Sequence, residues 1–274
     1  MDIRAAQQIT QRSLRTLQRE GPFLVVFSLG LAILFWYLVV RFGYVSIYLL
    51  PPPGMVLARF LKAASDGTLL RNSLYTLSEV LAGLSIGVTA ATSLGYLLAK
   101  SRSLERILSP YIVASQSVPV VAIAPLLVIW FGPGLFSKVL ICALIVFFPV
   151  LINTVVGMRS VPADLRDLMR SLQATPWQTF RLLEVPASLP VFLGGLRIGA
   201  TLSVIGAVVG EFVGADRGLG YMINQGKGIF DTSLVFVAVF TLILMAMLLY
   251  GAVSLLEARL LSWQRLPEKP VVSR

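Results

Sequence analysis

Hydrophobic positions in this chain gather into long uncharged runs separated by short polar segments rich in Arg. The first run, Pro22 to Val40, covers about 28 Å as a helix at ~1.5 Å per residue, close to the ~30 Å hydrocarbon core of a bilayer. It leaves through Phe35, Trp36 and Tyr37 rather than a small-residue cleavage site, so it reads as a first transmembrane helix and not a secretory leader. Further spans are expected at Leu74–Leu98, Ile107–Phe131, Leu135–Val156, Leu189–Val213 and Leu234–Leu256. Gly132-Pro133-Gly134 marks the turn between the third and fourth. The stretch from Arg41 to Asn72 is not membrane-like. Its Pro51-Pro52-Pro53-Gly54 turn precedes a surface helix with Met55, Leu57, Phe60 and Leu61 on one face.

The expectation is an all-α polytopic membrane protein with six transmembrane helices. Residues 1–21 form an N-terminal segment with a hint of a surface helix at Ile3, Leu14 and Leu17. Residues 22–256 form the transmembrane domain, and 257–274 a basic tail. Composition agrees. Only 13% of the 274 residues are charged, where a soluble domain carries roughly a quarter, and mean hydropathy is +0.84. The net charge of +10 would suggest nucleic acid in a soluble protein. Its distribution says otherwise. With the N-terminus in the cytoplasm, the inner segments 1–21, 99–106, 157–197 and 257–274 hold sixteen Lys and Arg, and the outer segments seven. That is the positive-inside signature, and it places both termini in the cytoplasm of a cell-membrane protein with no nucleic-acid role.

Candidate chemistry is sparse. There is no His, and the one Cys, Cys142, lies in an apolar run, where it reads as a small buried hydrophobe. No metal site is expected, and catalysis by the usual acids and bases is excluded. Gly220 to Gly228 (GYMINQGKG) imitates a phosphate loop. It has one residue too many before Gly226-Lys227 and no following Ser or Thr, so it reads as an ordinary loop. Glu211 sits within the apolar run of span five. It either faces a polar interior or lies near the outer interface paired with a cation. Glu79 is expected at the interface. Pro119 and Pro125 in span three either line a path or make packing kinks, and Ser117 stands beside them. Glycines four apart, among them Gly83 and Gly87, Gly195 and Gly199, and Gly206, Gly210 and Gly214, mark candidate close helix contacts.

The segment at about 158–188 is the most informative. Leu165, Leu168, Met169 and Leu172 fall at helical spacing on one stripe, with Arg166 and Arg170 off it. Thr175, Pro176, Trp177 and Gln178 encode a second helix start, with Thr175 as N-cap and Gln178 closing a capping box. Two short helices at a sharp angle result. They are either an ordinary loop lying on the membrane or a knob for a soluble partner.

This segment resembles the Glu-Ala-Ala loop of ABC importer permeases, the coupling helix that enters the ATPase subunit. Asp167, Leu168 and Met169 stand at the Glu-Ala-Ala positions. Gln173 stands where the pattern has glycine, and Ser188-Leu189-Pro190 matches its downstream end loosely. SVPVVAIAPLLVIWFGPG from Ser117 and GAVVGEFVGADRGLGYMI from Gly206 are similar to permeases for sulfonates, taurine, nitrate and thiamine precursors, over roughly residues 70–263.

The resemblance implies a type I importer permease. Asp167, Leu168, Met169, Leu172, Gln173, Ala174, Thr175, Pro176 and Trp177 would couple to the ATPase, and Ser117, Pro119, Pro125 and Glu211 would border the translocation path. It implies two ATP-binding cassette subunits, an external substrate-binding protein and a second copy of the chain as partners within membrane lipid. No cofactor is implied in this chain, because ATP and Mg bind the partner, and neither is an enzymatic activity of its own. The substrate implied is a small heterocyclic vitamin or precursor, of thiamine-pyrimidine or riboflavin type; sulfonate, taurine or nitrate is the alternative. A secondary transporter would need matching broken helices in two repeats, and a channel a filter-like repeat. The sequence has neither.

Overall fold

The computed structural model describes residues 24, 27–43 and 46–264. The N-terminal segment 1–21, the first residues of the first expected span and the tail beyond 264 lie outside the described residues. Among the described residues, regular structure is helical throughout. α1 (Phe27–Phe42) is a 16-residue apolar helix. α2 (Pro53–Ser65) follows the proline turn. α3 (Thr68–Lys100), α6 (Leu135–Arg159) and α11 (Thr232–Leu260) are long enough to cross a bilayer. So is the continuous helix Pro176–Gly214. It comprises α8 (Pro176–Thr179), a π-helical turn (Phe180–Glu184) and α9 (Val185–Gly214). α10 (Leu219–Gly228) is short, and α7 (Ala163–Ser171) is the first helix of the 158–188 segment.

The third expected span differs. α4 (Arg102–Gln116) and α5 (Val120–Phe131) meet at 92° across Ser117, Val118 and Pro119. Pro119 has no N–H to continue the ladder and disfavours helical geometry at Val118. Its own backbone is extended, with φ −62° and ψ 119°. The break follows the polar Ser115-Gln116-Ser117, and the apolar run that resumes at Val118 leads into α5 alone.

α2 is the expected surface helix: Met55, Leu57, Phe60 and Leu61 are exposed, and Val56 and Ala63 are the buried pair. One other expectation changes: the loop expected at Gly220–Gly228 is the helix α10.

The centre is α6, held between α3 and α9 at backbone contact. A Cβ on Gly83 of α3 would stand 2.2 Å from the Cβ of Cys142, and one on Gly87 2.7 Å from the Ala143 carbonyl oxygen. From the other side, a Cβ on Gly206 of α9 would stand 2.8 Å from the Cα of Cys142. Gly95 against Thr154 and Gly157 against the Ser188 carbonyl repeat the arrangement toward the α7 end. In lipid no hydrophobic drive pulls helices together, so this close van der Waals approach is what associates them. Cys142 is buried and free, as a small filler between the glycines.

At the α10 end, Trp36 of α1 stacks on Phe236 of α11 at 5.5 Å, and Arg59 of α2 bonds Asp231 at 2.7 Å. Asp66, between α2 and α3, accepts from the Thr68 backbone at 2.8 Å. Its Thr68 hydrogen bonds, side chain first, hold its carboxyl below the ordinary value.

Enlarging a glycine at this contact therefore costs packing. Gly206→Leu is expected to lower the thermal midpoint of the detergent-solubilised protein by the equivalent of about 1–3 kcal/mol or to prevent its accumulation. Gly251→Ala, with open space around it, leaves the midpoint unchanged.

Candidate functional site

Two polar constellations sit at opposite ends of the α3–α6–α9 core. At the α10 end, the carboxylate of Glu211 is buried among α3, α9 and α10 at 1% exposure. Thr76 donates its hydroxyl to Glu211 Oε1 at 2.6 Å, and the Gly220 N–H donates to Oε2 at 2.5 Å. The N–H groups just ahead of Gly220 are also satisfied from α3. Gly218 donates to Asn72 Oδ1 at 2.7 Å and Leu219 to Thr76 Oγ1 at 2.8 Å. A helix start leaves such donors orphaned and carries partial positive charge, so a buried carboxylate is a fitting cap for α10.

The glycines are obligatory here. Gly218 has φ +109°, and a Cβ on it would overlap Glu211 Oε1 at 2.0 Å. Gly220 would place a Cβ 2.7 Å from Oε2. Glu211 thus lies among polar partners inside the protein, three residues from the end of α9.

Glu79 is fully buried within the protein, with Lys138 of α6 equally buried and its Nζ 3.4 Å from Glu79 Oε1. Lys138 also lies over the Tyr75 ring, 5.0 Å from its centre. The single cation stands among two carboxylates, because Glu79 and Glu211 come from facing sides of α3 and α9. Asn72, Thr76 and Lys138 were not singled out in the sequence. The available signal was the spacing of Asn72, Thr76 and Glu79, which share the α3 face that continues as Gly83 and Gly87.

At the other end, α7 presents Leu165, Leu168 and Leu172 at 42%, 53% and 67% exposure, with Met169 partly covered, so the expected stripe is formed and uncovered. Asp167 pairs with Arg170 at 3.1 Å on the same helix. The helix ends in a Schellman motif. The Gln173 N–H donates to the Arg170 carbonyl and the Ala174 N–H to the Met169 carbonyl, at 2.9 and 3.0 Å. Gln173 adopts φ +53°, the left-handed conformation that glycine would take without strain. The sharp turn is therefore made despite the side chain.

Thr175 and Gln178 form the expected capping box. Trp177, 66% exposed, stacks on Phe180 at 5.5 Å, and Phe180 meets Tyr96 of α3 edge-on at 5.3 Å. Lys100, the last residue of α3, bonds the buried Glu184 at 2.5 Å, and Arg166 donates to the Met158 carbonyl at 2.7 Å. Arg159 and Glu105 form a further pair that ties α6 to α4. The α7–α8 unit is thus fastened to the ends of α3 and α6 and runs directly into α9.

The structure brings the expected coupling residues together, from Asp167 to Trp177. It does not gather the four expected path residues. Ser117 and Pro119 lie exposed at the α4–α5 bend, Pro125 is exposed on α5, and Glu211 is turned into the cap of α10.

Comparison with known proteins follows this geometry. Residues 83–262 match the family described as binding-protein-dependent transport system inner membrane component. The chain is 47% identical over 252 residues to a riboflavin transport system permease protein of Chloroflexus aurantiacus, covering 91% of this chain and 94% of that one. It is 38% identical to a formylaminopyrimidine transport permease protein of Halalkalibacterium halodurans, over 80% of this chain and 87% of that one. With a taurine transport system permease protein of Escherichia coli it shares 32% identity over 87% and 90%. Among solved structures, an inward-facing MetNI methionine ABC transporter chain superposes with a TM-score of 0.65 at 20% identity, covering 72% of this chain and 98% of that one. That likeness concerns the fold.

The Glu79–Lys138 pair is open to a direct energetic test. Lys138→Met leaves a buried carboxylate without its cation and is expected to cost about 3–5 kcal/mol of stability in a denaturant titration in micelles. Adding Glu79→Leu to Lys138→Met removes the orphaned charge and is expected to recover most of that loss. A double variant no better than Lys138→Met alone would refute the pairing.

Proposed function

The chain belongs to the family of binding-protein-dependent transport system inner membrane components, the permease component of an ABC importer, and from that premise we propose that its α7–α8 unit is the handle by which a separate ATPase moves the membrane helices. The observation that carries this reading is an apolar stripe on α7 that none of the described residues covers, in a unit anchored to two spans and running through α8 into a third. Leu168 and Leu172 are the centre of the contact, and Asp167, Met169, Gln173, Ala174, Thr175, Pro176 and Trp177 shape it. An exposed apolar strip rimmed by Arg170 and Asp167 suits a groove in a soluble protein.

The end bearing α7 then lies in the cytoplasm, in keeping with the excess of Lys and Arg in the segments assigned there. ATP and Mg bind the partner, whose closure pulls on α7 and α8. Pairing Lys100 with Glu184 and Arg166 with the Met158 carbonyl carries that displacement to α3, α6 and α9. Two copies of the chain enclose the path, and an external binding protein supplies the substrate. Ser117, Pro119 and Pro125, at the break between α4 and α5, border the path. Irregular backbone at membrane depth is tolerated where it lines a cavity. Glu211 braces the wall at the opposite end by holding α10 to α3.

The substrate is proposed to be a small heterocyclic vitamin or precursor. Support comes from 47% identity, across nine-tenths of the chain, to a permease named for riboflavin transport, and 38% to one named for formylaminopyrimidine. Sulfonate, taurine or nitrate transport is the alternative.

Docking and cargo are tested together in cells expressing the complete importer. Leu168→Asp and Leu172→Asp are each expected to reduce ATPase co-purification and ATP-dependent uptake of labelled riboflavin at least about tenfold, since a desolvated interface anchor is worth ~2 kcal/mol or more. Membrane insertion is unaffected. Normal co-purification of the ATPase with both variants would refute the docking role. Uptake of taurine in place of riboflavin or a pyrimidine by the unaltered protein would refute the cargo.

A further inference from the structure

Between α3 and α9, beneath the α7–α8 unit, the protein contains two adjoining hollows of opposite character. The first is a cavity of about 590 Å³, in the ~300–1,000 Å³ range of small-ligand sites. Its walls include Thr92, Tyr96, Phe180, Val185 and Phe192, and are largely apolar. The second, about 400 Å³, is lined by Lys100, Arg166, Arg170 and Glu184. Met158 and Pro176 belong to both, so the two share a wall. The apolar hollow lies between helices long enough to span a membrane, and the charged one lies at their ends.

The charged hollow has three cations against one carboxylate. Its internal partners leave functions unused. Lys100 is committed to Glu184 and Arg170 to Asp167, yet both side chains remain accessible, at 46% and 82%. Arg166 gives one N–H to the Met158 carbonyl, while its Nε is buried with no partner. Glu184, 1% exposed, uses Oε1 for Lys100 and leaves Oε2 unpartnered. Unpaired buried polar atoms are costly and call for a ligand with complementary groups. In the apolar hollow the Thr92 hydroxyl is likewise buried and unpaired.

We propose that these hollows together form a binding site for an anionic glycerophospholipid of the surrounding bilayer. One acyl chain fills the space between Tyr96, Phe180 and Phe192. The phosphate lies among Lys100, Arg166 and Arg170, and a headgroup hydroxyl donates toward Glu184. Basic pockets between spans at a membrane boundary select anionic headgroups in this way. The chain's own undescribed ends are poor occupants, because residues 1–21 and 265–274 are themselves basic. The exposed Trp177, which borders the apolar hollow, has the amphipathic ring that suits the headgroup level. A lipid so placed wedges α8 against α3, and would bias the position of the unit that α7 leads into.

This inference rests on membrane embedding and not on ATPase docking. The test is native mass spectrometry of the full-length chain, delipidated in detergent and then offered phosphatidylglycerol or phosphatidylcholine. The unaltered chain is expected to retain one phosphatidylglycerol in preference to phosphatidylcholine. Arg166→Gln reduces that preference roughly fivefold, the worth of one cation near an anionic headgroup. Ser93→Trp, at an exposed position of the apolar wall, blocks the acyl chain and abolishes retention while the thermal midpoint stays that of the unaltered protein. Should Arg166→Gln fail to fold, Ser93→Trp decides alone. Equal retention of the two lipids by the unaltered chain, or undiminished retention of phosphatidylglycerol by Ser93→Trp, overturns the site.

Discussion

The architecture at one end of this permease depends on where a single buried carboxylate can find hydrogen-bond donors. Glu211 is buried near the end of α9, where an ionisable group left alone would cost several kcal/mol. Thr76 of α3 and the start of α10 supply the donors, and Lys138 stands nearby as the cation. Satisfying that one side chain fixes three things together: the register of α3 against α9, the left-handed turn at Gly218, and the return of the chain into α10. Asn72 and Thr76 then serve the neighbouring N–H groups, so the turn has no orphaned donors at its core. Water could solve the same problem in a soluble protein; within a bilayer the solution has to be built from the protein itself.

The opposite end is organised by different physics. There α7 and α8 are joined by a turn that spends conformational strain at Gln173 to keep the angle, a capping box starts α8, and the Lys100–Glu184 ion pair and the Arg166 hydrogen bond to the Met158 carbonyl hold the unit to the ends of α3 and α6. α3 carries residues of both constellations, and α9 continues the π-helical turn that holds Glu184 and carries Glu211. From Glu79 to Lys100 along α3 is roughly 30 Å at ~1.5 Å per residue, with glycine contacts to α6 between them. A stiff helix packed backbone to backbone moves as a body, which is the property the proposed lever requires. The break at Ser117–Pro119 supplies the complementary property, a place where direction can change.

Much of this was legible beforehand. The apolar runs marked the long helices, because lipid demands length and an absence of charge, both of which are local quantities. The amphipathic stripe at Leu165, Leu168 and Leu172 and the capping box at Thr175 and Gln178 were equally readable, since a helix of two or three turns is set by its own caps and periodicity. The resemblance added the family, which the comparisons then established. Other features were missed or misread for identifiable reasons. The partner of Glu79 was missed because nothing in the sequence announces a cation that arrives from another helix. α10 was taken for a loop because glycines at Gly220, Gly226 and Gly228 argue against a helix unless its start is capped from elsewhere.

The all-helical, membrane-type character and the uncovered stripe of α7 were legible in composition and short-range pattern, since the bilayer acts on each segment separately; of the six expected spans, four helices, or five with the bent pair α4–α5 taken as one, have the length and apolarity to cross among the described residues. Which faces meet, that Lys138 lies beside Glu79 while Glu211 caps α10, and how two hollows come to adjoin under α8 were settled only when α3, α6 and α9 packed. Those features depend on partners brought together from different helices, and the free energy that selects them, close van der Waals approach and the cost of an unpaired charge in a low dielectric, exists only once both partners are in place.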